Sequence, residues 1–273
     1  MEFPRRRFGY HVVYDRDIYD ALDYASNHGF GYIVPDMMIP RFWPERYTEA
    51  ERHGIREYAE SLDVGISFHS PSDALSLAAP YPEVSSAIVE RMGLCLMFAQ
   101  ELGARRFTIH PAEPPRFASD GQPGDYHVPH RRFYTDALTR NITRVVDRAG
   151  PVEVCVENEP MTAFVMDTLD ELLGKTPLYL TLDAPKALNQ EKGDPVKVEE
   201  FYLRHHSLVK EVHLHDRRPG GRYHDALGRG DLDIAKYLNR YRGSDVCFTL
   251  EIRPRESAYR SLKLLEEMWL EAS

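Results

Sequence analysis

Short apolar segments alternate along the chain with longer segments in which apolar and polar residues are mixed. The short segments are rich in Val, Ile, Leu, Phe and Thr, a composition typical of parallel strands that are buried on both faces. Six of them end at a histidine, glutamate or aspartate: SLDVGISFHSP, RRFTIHP, VEVCVENEP, LYLTLDAP, VKEVHLHD and CFTLEIRP. Two further segments, FGYHVVY at 8–14 and GYIVP at 31–35, precede these six. The pattern therefore predicts eight strands.

The longer segments carry apolar residues at three- and four-residue spacing, which predicts amphipathic helices. The clearest are DIYDALDYASNHG, TEAERHGIREYAESL, VSSAIVERMGLCLMFAQELG, YTDALTRNITRVVDRAG and SAYRSLKLLEEMWLEA. Gly29, Gly103 and Gly150 each come shortly before a predicted strand, and we expect them to cap helices. The repeated strand–helix order predicts an α/β fold, and eight strands favour a single (β/α)8 TIM barrel over residues 1–273. An open doubly wound sheet is the alternative.

Two of the predicted connections are longer than usual. The first, 35–47, carries the large apolar residues Met37, Met38, Phe42 and Trp43. The second, 111–134, is rich in Pro and Gly and contains His127 and His130. Each is expected either to cover a ligand as a lid or to form an ordinary surface or oligomer contact, and the sequence favours neither reading.

The charge of the chain narrows the class of partner. The formal net charge is -9 and the isoelectric point is near 5.7. An acidic protein lacks the overall attraction to a phosphate backbone that steers nucleic-acid-binding proteins. We therefore expect a small-molecule partner and no nucleic acid.

The cysteines and the apolar segments suggest where the protein works. Cys95, Cys155 and Cys247 are odd in number and unclustered, as expected for reduced thiols in the cytoplasm. No apolar segment is long enough to span a bilayer, and the basic start is not followed by the core of a signal peptide. The expected location is cytoplasmic, without a membrane partner, and a homo-oligomer is compatible with the sequence.

The carboxyl ends of the strands in a closed parallel barrel converge on one face. The strand-end residues expected to meet there are His69, His110, Glu157, Asp183, His213 and Glu251. The last four of them follow four successive strands and combine three carboxylates with one imidazole. Such a set suits one divalent ion, Mn²⁺, Mg²⁺, Co²⁺ or Zn²⁺, and without an ion the carboxylates would repel one another.

The motifs FHSP, TIHP, VENEP, LDAP, VHLHD, HDALGRGD and LEIRP follow one another between residues 64 and 254. In this order they resemble the xylose-isomerase-like barrels, which include sugar isomerases and epimerases and, more distantly, apurinic/apyrimidinic endonucleases. The resemblance implies that the metal is held by Glu157, Asp183, His213 and Glu251. It also implies that Glu157 and Glu251 are catalytic, as an acid/base pair on opposite sides of the substrate.

The implied activity is the metal-dependent isomerisation or epimerisation of a small sugar or polyol. A divalent ion polarises the substrate carbonyl and stabilises an enediolate, while one carboxylate removes the α-proton and a second returns it. An inosose-type dehydratase uses the same proton abstraction and is a close alternative. An abasic-site endonuclease-like phosphodiesterase and a catalytically silent sugar-binding barrel are alternatives from other classes.

Histidines next to the metal ligands are expected to contact the substrate. His69 and His110 end the third and fourth strands, and the resemblance offers them as zinc ligands in endonucleases or as substrate contacts in epimerases. We favour substrate contact. The segment GGRYHDALGRGDLD, 220–233, resembles an active-site loop, with His224 near the substrate and Asp231 at the N-cap of the next helix.

Three arginines and one tryptophan complete the expected substrate contacts. Arg253, together with Arg217 and Arg218, could bind an anionic group, which leaves a phosphorylated or acidic sugar open. Trp43 in the first long loop could lie over the ligand.

The sequence departs from the pattern of its relatives at two positions. Lys186 stands where relatives often carry a histidine, three residues after Asp183, and Arg222 stands where endonucleases need an aspartate. A charged lysine is a poor metal ligand and a good partner for a substrate oxygen. We therefore expect Lys186 to bind substrate, and we do not expect a trinuclear metal cluster.

Overall fold

The computed structural model describes residues 2–72, 75–115, 117–119, 122–124, 128–189, 193–218 and 222–271, without the side chains of 117–119, 122–124, 128 and 222. Its main sheet is parallel and contains β1 (Phe8–Val12), β2 (Tyr32–Pro35), β3 (Gly65–Ile66 and Phe68–His69), β4 (Arg106–Ile109), β5 (Glu153–Glu157), β6 (Leu178–Asp183), β7 (Val209–Leu214) and β8 (Cys247–Leu250). The hydrogen-bonded order ends on the two halves of β3, which Ser67 separates. The ring therefore closes, and the predicted eight-stranded barrel is confirmed.

A helix follows every barrel strand. The helices are α1 (Ile18–His28), α2 (Glu49–Ser61), α3 (Pro82–Glu101), α4 (Arg131–Val146), α5 (Ala163–Leu172), α6 (Pro195–Arg204), α7 (Ile234–Tyr241) and α8 (Arg255–Glu271). Two antiparallel hairpins, Phe117–Ser119 with Gln122–Gly124 and Asp216–Arg218 with Arg222–Asp225, lie in the connections after β4 and β7. Among the described residues, no helix combines the length and apolar character that a membrane span needs.

The helix ends match the predictions only in part. Gly29 caps α1 with a φ of 78°, in the left-handed region that glycine adopts without strain. The cap of α4 is Asp147, so Gly150 lies in the turn before β5 and is not the cap. The N-cap of α7 is Asp233, whose carboxylate accepts a hydrogen bond from the backbone N–H of Lys236. The prediction of Asp231 at this position was wrong, because α7 starts two residues later than a cap at Asp231 requires.

The first long connection is packed against the barrel. It contains two short 3-10 turns, Pro40–Phe42 and Pro44–Arg46. Met37 and Phe42 are fully buried within the hydrophobic core, so these two side chains are not free to cover a ligand. The second connection ends earlier than predicted, because α4 begins at Arg131, and His127 lies outside the described residues.

The interior of the barrel is mostly polar. Thr108 on β4 hydrogen-bonds Thr181 on β6 across 3.1 Å, and Tyr32 on β2 hydrogen-bonds Thr249 on β8 across 2.8 Å. These pairs join strands that are not neighbours, so the bonds cross the inside of the barrel. The large apolar core lies instead between the outer side of the strands and the helices. Among the described residues, Tyr32, Val34 and Cys247 form a small separate cluster. The inner wall is therefore available for chemistry at its carboxyl end.

Candidate active site

Four acidic or histidine side chains meet at the carboxyl ends of β5 to β8. One ligand atom from each of Glu157, Asp183, His213 and Glu251 lies within 4.8 Å of the others. The strand register explains this meeting, because His213 is paired with Asp183 on β6 and with Thr249 on β8. All four residues are buried, so three carboxylates face one another away from bulk water. Such a group has the donor chemistry of a divalent-metal site.

The surroundings of the His213 ring are those of a metal ligand. Its Nδ1 lies 3.3 Å from Glu251 Oε1 and 3.5 Å from Glu157 Oε2, yet neither ring nitrogen has a hydrogen-bond partner. Burial alone would lower the pKa of His213, but the charges of Glu251 and Glu157 raise it well above 6.5. A buried nitrogen without a partner between two carboxylates fits a metal ligand, because binding an ion would satisfy all three groups.

Both glutamates are held as anions. Burial would raise the pKa of Glu157, but the charge of Lys186, followed by those of His213 and His110, lowers it well below 4.5. Burial likewise opposes ionisation of Glu251, and the charges of His213, His11 and Lys186 lower its pKa well below 4.5. Two buried carboxylates therefore remain able to accept a proton at neutral pH.

Lys186 lies directly against the carboxylates. Its Nζ is 2.8 Å from Glu157 Oε1 and 3.4 Å from Asp183 Oδ2, and it also contacts Glu159. The contact arises because a short 3-10 helix, Lys186–Leu188, begins just after β6, and the backbone N–H of Lys186 donates to Asp183 Oδ1. The ammonium thus supplies positive charge on one side of the predicted metal site.

His69 and His110 form a second group with Glu157. Their Nε2 atoms lie 3.3 Å and 3.2 Å from Glu157 Oε2, and 3.1 Å from each other. This geometry also has the spacing of a metal site. The same Glu157 oxygen therefore faces both histidines and the ring of His213.

A third group contains His215, His224 and Glu251. His215 Nε2 is 3.1 Å from Asp183 Oδ2, and His224 Nδ1 is 2.9 Å from the backbone carbonyl of Glu251. Burial lowers the pKa of His224 to about 4, so its ring is neutral at pH 7. The side chain of Arg222, which was expected to oppose a metal here, lies outside the described residues.

A cavity of about 260 Å³ lies at the mouth of the barrel, and five of the residues described above line it: His69, His110, Lys186, His224 and Glu251. The cavity is lined by His11, Asp36, His69, His110, Glu159, Lys186, Asn189, Tyr223, His224, Glu251 and Arg253. Every one of these side chains carries a polar group. The lining therefore suits a small ligand with many hydroxyl or carbonyl oxygens.

The structure places Trp43 elsewhere. Its ring lines a separate cavity of about 490 Å³ together with Met37, Met38 and Leu75. The indole N–H donates to the backbone carbonyl of Met37, and the Arg91 guanidinium lies over the ring. Trp43 thus stands apart from the polar cavity that contains the other predicted substrate contacts.

Most of the chain matches one protein family. A family model described as xylose isomerase-like TIM barrel matches residues 22–268. The chain belongs to this family. No curated protein matches the chain.

Several solved structures are similar to the chain over nearly its whole length. A D-tagatose 3-epimerase-like protein is 19% identical, with 96% of this chain and 97% of that chain covered and a TM-score of 0.77. D-allulose 3-epimerase from Methylomonas sp. in complex with D-allulose is 17% identical, with coverages of 98% and 99% and a TM-score of 0.70. Endonuclease IV from Thermus thermophilus is 21% identical, with coverages of 98% and 100% and a TM-score of 0.68. At identities this low, the similarity shows a shared fold and does not extend to the activity.

Two residues at the mouth of this xylose isomerase-like barrel were not predicted from the sequence. His11 on β1 and Asp36 just after β2 both line the cavity, and His11 Nε2 lies 3.3 Å from Asp36 Oδ2. A signal was present for Asp36, which directly follows the strand predicted at 31–35, whereas His11 lies in the middle of the strand predicted at 8–14. Neither residue belongs to a motif of the family.

Proposed function

We propose that this xylose isomerase-like barrel is a divalent metal-dependent isomerase or epimerase that acts on a small sugar or polyol. The observation that carries the proposal is the pair of buried, anionic glutamates, Glu157 and Glu251, on either side of His213 beneath a polar cavity. Proton abstraction next to a carbonyl needs one base to remove the proton and an acid to return it. The epimerases among the similar structures support this class of chemistry.

The metal would be held by Glu157, Asp183, His213 and Glu251. Three carboxylate oxygens and one imidazole nitrogen at mutual distances within 4.8 Å are a suitable donor set for one divalent ion. When bound, such an ion supplies Lewis-acid polarisation of the substrate carbonyl.

The two glutamates would exchange the proton with the substrate. One carboxylate takes the proton from the carbon next to the carbonyl, which leaves an enediolate. The other carboxylate first receives a proton from water or from a substrate hydroxyl, and it then passes this proton to a neighbouring atom or to the opposite face. Because their pKa values are low, both glutamates begin the reaction unprotonated at neutral pH. The stereochemistry of the substrate decides which of them acts first.

The remaining lining residues would bind and orient the substrate. His69, His110, Lys186 and Arg253 offer donors around the cavity, and the neutral ring of His224 can donate or accept. Lys186 also holds Glu157 Oε1 at 2.8 Å, which directs the other oxygen of Glu157 toward the histidines.

Deuterium exchange tests the proposal directly. The protein, loaded with Mn²⁺, Co²⁺, Mg²⁺ or Zn²⁺, is incubated in D₂O with a panel of ketoses and inososes, and NMR follows deuterium incorporation at the carbon next to the carbonyl. We expect incorporation that falls by about a hundredfold or more in Glu157→Gln and in Glu251→Gln. Glu171→Gln, on an exposed position of α5, is the control. Exchange that survives in both glutamate variants would exclude the proposed acid/base pair.

The same spectra separate the neighbouring reactions. An isomerase or epimerase gives a product of unchanged mass, whereas an inosose-type dehydratase releases water. A barrel that binds these sugars by calorimetry but exchanges no proton under any of the four metals would be the silent sugar-binding alternative.

Phosphodiester hydrolysis is the second candidate, because the described residues contain three metal-capable groups that share Glu157 and Glu251. Several ions close together are typical of such hydrolysis. The ammonium of Lys186 on Glu157 and Asp183 argues against it, as does the net charge of -9. More than one bound metal per chain by elemental analysis, together with incision of an abasic duplex that Glu251→Gln abolishes, would favour this reading.

A further inference from the structure

A second cavity adjoins the polar cavity at the ends of β1 and β8. It has a volume of about 260 Å³, and His11 and Arg253 line both cavities. The exposed ring of Tyr14 lies at the second cavity. A ligand that is longer than one cavity can therefore extend past Arg253 into the other.

Arg253 has unused hydrogen-bonding capacity where the cavities meet. Its Nη2 lies 3.2 Å from His11 Nδ1, while its buried Nε has no hydrogen-bond partner. Within the described part of the chain, no carboxylate oxygen lies at ion-pair distance from this guanidinium. A buried donor without an acceptor is costly, and a guanidinium binds a carboxylate or phosphate through two parallel N–H groups.

The neighbouring cations are already paired. Arg255, also at the second cavity, contacts Asp15 Oδ1 at 2.6 Å and Asp20 Oδ2 at 2.9 Å. Lys186, at the first cavity, is paired with the site carboxylates described above. The three carboxylates that line the second cavity, Asp15, Asp20 and Glu256, all lie within ion-pair distance of Arg255. Among the described residues of this cavity, Arg253 is therefore the cation without a carboxylate partner.

His11 keeps Arg253 in this position. Its Nδ1 lies 3.2 Å from Arg253 Nη2 and 3.8 Å from Glu251 Oε1, and its Nε2 lies 3.3 Å from Asp36 Oδ2. The ring thus lies between Asp36 and Arg253, and it contacts the guanidinium at Nη2, which leaves the other N–H groups of the guanidinium for another partner.

We infer that the substrate carries an oxyanion, a phosphate ester or a carboxylate, which Arg253 binds at the second cavity while the sugar part lies over Glu157 and Glu251. The inference rests on the proposed function and adds to it the class of sugar. It predicts a substrate with its anion at the end away from the reacting carbonyl.

Calorimetry with matched sugars tests the inference. The metal-loaded protein is titrated with ketohexoses, their 6-phosphates and the corresponding ketohexuronates, so that the sugars differ only at the far end. We expect the wild type to bind at least one anionic series more tightly than the neutral one. In Arg253→Met this preference should fall by about tenfold or more, because a charge-assisted hydrogen bond is lost. Arg253→Lys, which keeps the charge but not the planar fork, should retain part of it.

Arg16→Met is the matched control. Arg16 lies in the β1–α1 connection, which also contributes Tyr14 and Asp15 to the second cavity. Its exposed guanidinium pairs with Asp17, so its loss changes the net charge equally. The preference should survive in this variant. A preference for phosphates alone or for uronates alone identifies the anion. Failure of the wild type to prefer either anionic series, or an equal loss for neutral sugars in Arg253→Met, would overturn the inference.

Failure of the inference is distinguishable from failure of the proposed function. Deuterium incorporation into neutral ketoses without any preference for anionic sugars would retain the isomerase and remove the role of Arg253 as an anion contact. A preference for anionic sugars that depends on Arg253, without proton exchange with any sugar, would retain Arg253 as an anion contact and exclude the isomerase.

Discussion

Lys186 determines the charge balance of the site. Its ammonium contacts two of the predicted metal ligands and is 12% exposed, so little solvent screens it. The sequence indicated that a lysine here would disfavour a metal at its own position. The structure adds that the same charge lies within reach of the ion predicted next to it, where two cations repel.

Replacing Lys186 by methionine should therefore raise the affinity for a divalent ion and lower the catalytic efficiency toward the substrate. We expect divalent-ion affinity to rise by about tenfold or more, because a competing charge leaves the carboxylates, while kcat/KM falls through loss of a substrate donor. Titration with Mn²⁺ followed by electron paramagnetic resonance measures the first effect. Lys175→Met, at an exposed position after α5, is the control. Unchanged Mn²⁺ affinity would show that Lys186 and the ion do not interact.

Asp36 gives a pH-dependent contribution to stability. Burial would raise its pKa, but His11 and His69 lower it to about 2 from 3.8. Because the pKa is lower in the folded state, the contribution is complete above pH 4 and is lost as the pH falls toward 2. The difference in unfolding free energy between wild type and Asp36→Asn should shrink by about 2 kcal/mol over this range. Urea unfolding at a series of pH values measures it, and a constant difference would contradict the assignment.

At the level of strands and helices, the sequence predicted two kinds of element. These are helices with a clear hydrophobic period and strands whose apolar run ends at a histidine, aspartate or glutamate. The eight strands were recognisable because each combines a short apolar run with a turn signal, and the four ligand-type residues followed from strand ends alone. The break of β3 at Ser67 was not predictable, because it depends on pairing with both neighbours in the ring. The location of Trp43 was not predictable either, since a loop has no period and its packing depends on α3, which supplies Arg91.

Gly9 is required where β1 passes β2 inside the barrel. A Cβ at Gly9 would lie 2.5 Å from the Tyr32 ring, which the hydrogen bond to Thr249 holds in place. Gly9→Ala should therefore lower the unfolding free energy by about 1–3 kcal/mol through overpacking. Gly243→Ala is the control, because open space surrounds that position. Equal thermal denaturation midpoints of the two variants would show that the strands move apart without cost.

At the scale of the whole molecule, the closed ring joins distant parts of the sequence. β1 pairs with both β2 and β8, so the first and last strands of the barrel are neighbours. The predicted metal ligands come from four of the eight strands. Binding of an ion would thus connect half of the ring through one atom.

Divalent ions should therefore stabilise the entire barrel. At a free ion concentration of about one hundred times Kd, the unfolding free energy should rise by about 2.7 kcal/mol, and a chelator should reverse the gain. Differential scanning calorimetry measures the shift, and the double variant Glu157→Gln, Asp183→Asn should lose it. A shift of equal size in that double variant would place the ion elsewhere on the protein.

The apolar core surrounds the barrel, whereas the polar residues of the mouth lie inside it. The contacts that hold strands to helices are thus largely separate from those that would select a ligand. In the course of evolution, residues at the mouth can be exchanged one at a time while the outer layer preserves the fold. Solved structures at identities of 17% to 21% share this fold although most of their residues differ from those of this chain.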